Sequence, residues 1–233
     1  MARLQAARKQ VSFQQVNEEE TVAPSSPSND FPRAKRLVQT IPIHYLFVLL
    51  GMFKLGLTQE IPATLFRGYF SLLALQIVYG YVLNKNIAGK ATKKHKKEDD
   101  NIILLVFASL LISTILSIPV FIALVLFGAP LSSHLQETYL LALHLSNLVF
   151  YPTLVIFKLD YEVFVKMLSL ESLFKVILSS PTLCSSALCL VGTWLAVIPI
   201  PLDWDRPWQQ WPITLISGAY FGSFVGGTIS LLF

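Results

Sequence analysis

Six stretches of the chain carry long apolar runs with few charges: residues 41–57, 61–83, 102–127, 138–157, 176–200 and 213–233. A helix crosses the hydrocarbon core of a bilayer in about 20 residues, with a range of roughly 17–25. The pattern therefore predicts an all-α membrane protein, a polytopic bundle of about six transmembrane helices. The first run is short and is interrupted by Lys54. The third carries Pro119, which predicts a kink or a tilt. Residues 1–36 hold no such run. Their Glu18-Glu19-Glu20 and Pro24-Ser25-Ser26-Pro27-Ser28 stretches predict a disordered arm, leaving 37–233 as the transmembrane domain. No small-residue cleavage site follows the first run, so it is expected to stay as an anchor.

Composition agrees with this division. Of 233 residues, 54% are apolar and only 14% are charged, against roughly 25% charged in an ordinary soluble domain. That mixture excludes a cytosolic enzyme. The connections between runs are too short to fold as a separate catalytic domain. The net charge of +4 is too modest to argue for nucleic acid. Two cysteines, Cys184 and Cys189, lie five apart in one apolar run and exclude a disulfide scaffold.

Charge sets the expected orientation. Of 18 basic residues, 15 fall in the arm, in the loop after the second run and in the loop after the fourth. The positive-inside rule then places both termini in the cytosol, and residues 58–60, 128–137 and 201–212 on the far side. Lys54, Arg67 and Arg206 are the exceptions. Lys54 and Arg67 lie near run ends, where long side chains reach the interface. The lysines at 90, 93, 94, 96 and 97 read as a topology determinant in preference to an anionic-lipid patch, since Glu98-Asp99-Asp100 partly neutralises them.

Three places carry candidate chemistry. In the last run Gly218, Gly222, Gly226 and Ser230 recur every four residues. Small residues at that spacing let helices approach closely in lipid, either within this bundle or on a partner. Residues 199–212 hold three of four tryptophans and four of 13 prolines. There Trp204, Trp208 and Trp211 fit an interfacial belt, and Asp203, Asp205 and Arg206 a local ion pair in a rigid cap. Finally, Glu137 follows His134 by three residues, on one helical face. A metal or proton-relay reading lacks a third ligand, so Glu137 is expected to cap the fourth helix, where the dipole favours an anion. His44 and His95 have no ligand partner in sequence. No metal or cofactor is expected.

Three segments together resemble one family. They are Phe127-Gly128-Ala129-Pro130-Leu131 with Glu137-Thr138, the run from Pro199 through Pro-Leu-Asp-Trp-Asp-Arg-Pro-Trp-Gln to Gln209, and Trp211-Pro212-Ile213 with Gly218, Gly222 and Gly226. The chain resembles the PIG-F family of glycosylphosphatidylinositol (GPI) anchor biosynthesis, in a fungal form. The resemblance implies a multi-pass subunit of the endoplasmic reticulum membrane. It would bind and stabilise the large ethanolamine-phosphate transferases that modify mannoses of the GPI precursor in the lumen. Catalysis would then belong to the partner. From the residues themselves, Asp203, Trp204, Asp205, Arg206, Trp208 and Glu137 are the candidates for a lumenal cap that packs the helix ends or touches a partner or a lipid head group. Two other readings stand beside it. A lipid-substrate transporter or scramblase would use Arg67, Glu137 and Arg206, though no internal repeat is visible. A membrane enzyme would use Asp203, Asp205 and Glu137.

Overall fold

The computed structural model describes residues 32–88, 101–168, 173–202 and 204–231. Residues 1–31 of the arm, the lysine cluster at 90–97 and Asp203 lie outside the described residues. Nine α-helices are described: α1 Ile43–Lys54, α2 Ile61–Lys85, α3 Ile102–Ile115, α4 Ser117–Leu126, α5 Leu135–Ile156, α6 Tyr161–Leu168, α7 Leu173–Ser179, α8 Pro181–Leu195 and α9 Ile213–Ile229. One two-residue antiparallel pair joins Arg33–Ala34 to Ile87–Ala88.

Helix ends follow local chemistry. Beyond α1, Gly56 adopts φ 90°, a left-handed value that glycine takes without a Cβ penalty. Leu57 then donates its N–H back to Met52 at 3.1 Å and buries its side chain. Gly128 does the same after α4 at φ 97°, with Ala129 donating to the Leu124 carbonyl at 2.9 Å. These are the stops that separate neighbouring helices by tight turns.

Among the described residues, three helices are long and apolar enough to cross a membrane: Ile61–Lys85, Ile102–Leu126 and Leu135–Ile156. The second of these is α3 and α4 in succession, broken at Leu116 three residues before Pro119. Proline lacks the N–H that a continuous helix needs from it, which accounts for the break. The other three apolar helices are shorter than the sequence pattern predicts. They are Ile43–Lys54, Pro181–Leu195 and Ile213–Ile229, of 12, 15 and 17 residues. At about 1.5 Å per residue each is shorter than an average core about 30 Å thick, so to cross it they need flanking residues or a locally thinner bilayer.

Proline also explains the largest difference. The expected span 176–200 divides between α7 and α8, because Ser180 is extended (ψ 119°) ahead of Pro181. Its far end stops at Leu195, and residues 196–201, which include Pro199 and Pro201, form turns. Ala34 is buried, and Lys35 donates its N–H to the Asn86 carbonyl at 2.7 Å, so residues 33–35 are held on the bundle.

The centre of the bundle is α5. Of its most apolar stretch 83% is buried, against 33% for α2 and 28% for α3–α4. It packs on α2, α3, α4, α8 and α9. The most intimate pairing in the protein joins α8 to α9.

Candidate functional site: a cap at one end of the bundle

The loop between α8 and α9 folds on its own backbone. Gln209 donates through Nε2 to the carbonyls of Pro199 at 2.8 Å and Leu202 at 2.9 Å, while its Oε1 accepts the Arg206 N–H at 2.8 Å. One amide thereby gathers three points of the loop. A short 3₁₀ turn at Pro207–Gln209 follows, and the Trp211–Pro212 peptide bond is cis.

Trp211 ties this loop to the rest of the protein. Its indole Nε1–H donates to the Thr138 hydroxyl oxygen at 3.0 Å. The Thr138 hydroxyl faces the carbonyls of His134 at 2.7 Å and Pro130 at 3.0 Å. Thus the turn after α4, the first turn of α5 and the loop before α9 meet at one point. Glu137 sits in that first turn, with its Oε1 3.5 Å from His134 Nδ1. Among the described residues no third histidine, cysteine or carboxylate joins them.

The loop's charged and aromatic residues occupy separate places. Asp205 and Arg206 line an open cavity of about 440 Å³ together with Ile200, Leu202, Gln209 and Gln210. Trp204 and Trp208 pack edge to face, 5.9 Å between ring centroids, outside that lining. Glu137 does not line it either, so the cavity does not unite Glu137 with Asp205.

The small residues of α9 face inward. A Cβ on Gly218 would strike the Gly192 carbonyl and Ala196, one on Gly222 the Leu188 carbonyl, and one on Gly226 the Cys184 carbonyl. The stripe is therefore matched to Cys184, Leu188 and Gly192 of α8 and to Ala196 just past its end, also spaced by four. Ser185 adds a hydroxyl bond to the Ser223 carbonyl at 2.7 Å. Ser230 is buried at the end of α9 and donates to the Gly227 carbonyl at 2.9 Å. Of the two readings open to this stripe, the geometry selects packing within the bundle.

A buried polar network around α5 has no counterpart in the sequence reading. Asn147 donates to Tyr69 OH at 3.1 Å and accepts from Ser113 Oγ at 2.9 Å. Gln76 donates to Tyr45 OH at 3.1 Å. His144 bridges Tyr220 OH at 2.6 Å and the Leu65 carbonyl at 3.0 Å. Polar groups at this depth need partners, because the hydrocarbon offers none. The signal was available as isolated polar residues inside apolar runs.

A family model described as "GPI biosynthesis protein family Pig-F" matches residues 40–231. The chain belongs to the PIG-F family. The match covers the whole helical body and both segments that meet at Trp211 and Thr138. The chain is 47% identical over 233 residues to glycosylphosphatidylinositol anchor biosynthesis protein 11 of Debaryomyces hansenii, covering 99% of this chain and 98% of that one. It is 36% identical to the protein of the same name in Candida albicans, covering 90% and 85%. The Yarrowia lipolytica protein of that name is 35% identical, covering 78% and 76%. No solved structure matches this PIG-F chain.

Proposed function

We propose that this chain acts in GPI-anchor biosynthesis as a non-catalytic subunit of the endoplasmic reticulum membrane. In this reading it binds and stabilises the large transferases that add phosphoethanolamine to mannoses of the GPI precursor. The chain crosses the membrane six times, with α3–α4 as one span and α7–α8 as another. Both termini are cytosolic, following the distribution of Lys and Arg. The cap formed by Trp211, Thr138 and Gln209 then faces the lumen.

The observation that supports the subunit role best is the place of the family's distinctive residues. Two of the three segments that carry the resemblance converge on a hydrogen-bonded cap, Trp211 to Thr138. Among the described residues they do not gather a cluster of acids, since Glu137 is turned to His134 and Asp205 lines a separate cavity. A built surface without a gathered catalytic group suits recognition. The test is a pull-down of tagged full chain from its native membranes in mild detergent, followed by mass spectrometry. Near-equal recovery of a large ethanolamine-phosphate transferase is expected. Recovery of the chain alone, in a detergent that preserves other membrane complexes, overturns the reading.

A further inference from the structure

The small-residue face of α9 is filled by α8, so a partner has to seat elsewhere on the bundle. Among the described residues eight glycines lie inside α-helices. A Cβ on seven of them would collide with another part of the chain, as at Gly68 against Met52, Gly80 against Tyr151 and Gly227 against Pro42. Around a Cβ on the eighth, Gly51 of α1, nothing lies within 4 Å. Glycine inside a helix costs backbone freedom and offers no side chain to pack. Its use in a membrane helix is to let a second helix come close. Seven glycines meet such a neighbour within the chain, and Gly51 does not.

Gly51 sits on the outward side of α1. Tyr45, Val48, Leu49 and Met52 are buried, and α1 packs on α2 and α9. Phe47 and Leu50 are 67% and 58% exposed, and Lys54 is exposed at the helix end. Phe47, Gly51 and Lys54 are four and three residues apart, so they form one ridge. At 12 residues α1 is also shorter than an average membrane core. Association with another helix is one way a short span is accommodated.

Three occupants come into question for this ridge. Lipid chains pack against a methyl group as well as against none, so lipid does not account for the glycine. A second copy, related by a two-fold axis along the membrane normal, would bring Lys54 toward Lys54 at one depth, and like charges repel. A helix of a different protein meets neither objection. Its complement to this ridge is a small residue opposite Gly51 and an acidic one level with Lys54.

We propose that the outward face of α1, centred on Gly51, seats a transmembrane helix of the partner transferase. The proposal rests on the subunit reading above and names the surface through which that role would act.

The test compares full-length variants in the transferase pull-down and in thermal melting of the purified chain. Gly51→Leu should lower transferase recovery by about tenfold, the effect of a side chain forced into a close helix contact. It should leave the melting temperature of the chain alone unchanged, because the added side chain meets open space there. Gly51→Ala separates helix propensity from docking: it should hold or raise the melting temperature and still recover less transferase than the parent. A benzoylphenylalanine photo-crosslinker in place of Phe47 should form an adduct with the transferase. The same group in place of Phe107, exposed on α3, should form none. Parental recovery of transferase by Gly51→Leu overturns the proposal. So does an adduct at Phe107 with none at Phe47, or an adduct at Phe47 with a second copy of the chain. Recovery of the unaltered chain without any transferase is a separate failure, which overturns the subunit reading and the docking site with it.

Discussion

Gly192 and Gly218 meet backbone against backbone at the contact of α8 and α9. A Cβ placed on either would run into the carbonyl oxygen of the other. Gly222 continues the seam against Leu188 and Gly226 against Cys184. Without a hydrophobic drive between helices in lipid, this close approach is what holds the pair.

Gly222→Leu should therefore destabilise the chain by itself. Forcing a side chain into a packed backbone contact costs about 1–3 kcal/mol or more. The check is the melting temperature of the purified chain in detergent, with no partner present. A marked fall is expected. An unchanged melting temperature with loss of a partner would return this face to the role of an external docking surface.

Trp211→Phe should loosen the cap without unfolding the bundle. It removes one hydrogen bond, from indole Nε1 to Thr138, at a cost of about 1 kcal/mol. Thr138→Val should cost more, since it also leaves the His134 and Pro130 carbonyls without that hydroxyl. A double-mutant cycle measured by denaturation in mixed micelles should return a coupling of about 1 kcal/mol. Strict additivity would mean that the two residues do not act together.

His144→Leu should be more damaging than Tyr220→Phe. The first change leaves both the Leu65 carbonyl and the Tyr220 hydroxyl buried without their partner, and the second leaves only one nitrogen of His144. An orphaned buried polar group costs about 1–3 kcal/mol. Resistance of the two variants to proteolysis, compared with the parent, gives the order. Equal resistance would show that the network tolerates its gaps.

The long apolar runs made α2, α3–α4 and α5 legible, because each has the length of a membrane span by itself. The short helices were harder to bound. Nothing in an apolar count distinguishes residues 176–179 from 183–195, and the break depends on Ser180 being extended before Pro181. The stripe of Gly218, Gly222 and Gly226 was visible, but its partner along α8 and its C-terminal cap was not, since Cys184, Leu188, Gly192 and Ala196 mix sizes and types. The cap was legible in its residues and hidden in its contacts. Trp211 and Thr138 lie 73 positions apart, and no local periodicity pairs them. Gln76, Asn147 and His144 each stand as one polar residue in an apolar run. Their meaning appears only when Tyr45, Tyr69 and Tyr220 arrive from other helices.

Six crossings can be checked with cysteine chemistry. The native Cys184 and Cys189 are both buried and free, which gives a low background. A cysteine replacing Trp204, exposed on the cap, should react with an impermeant thiol reagent only after sealed microsomes are opened. One replacing Lys35, exposed beside the Arg33–Ala34 strand, should react before opening. Reaction of both from the same side would contradict an α1–α9 arrangement with the cap in the lumen.

The central claim is that this chain serves a transferase and does not itself transfer. The most direct measurement follows phosphoethanolamine transfer to a mannosylated GPI precursor in three preparations: membranes containing the chain, the same membranes depleted of it, and the purified chain alone in lipid vesicles. The account predicts transfer in the first, a loss together with reduced transferase abundance in the second, and none in the third. Turnover by the purified chain alone would contradict it.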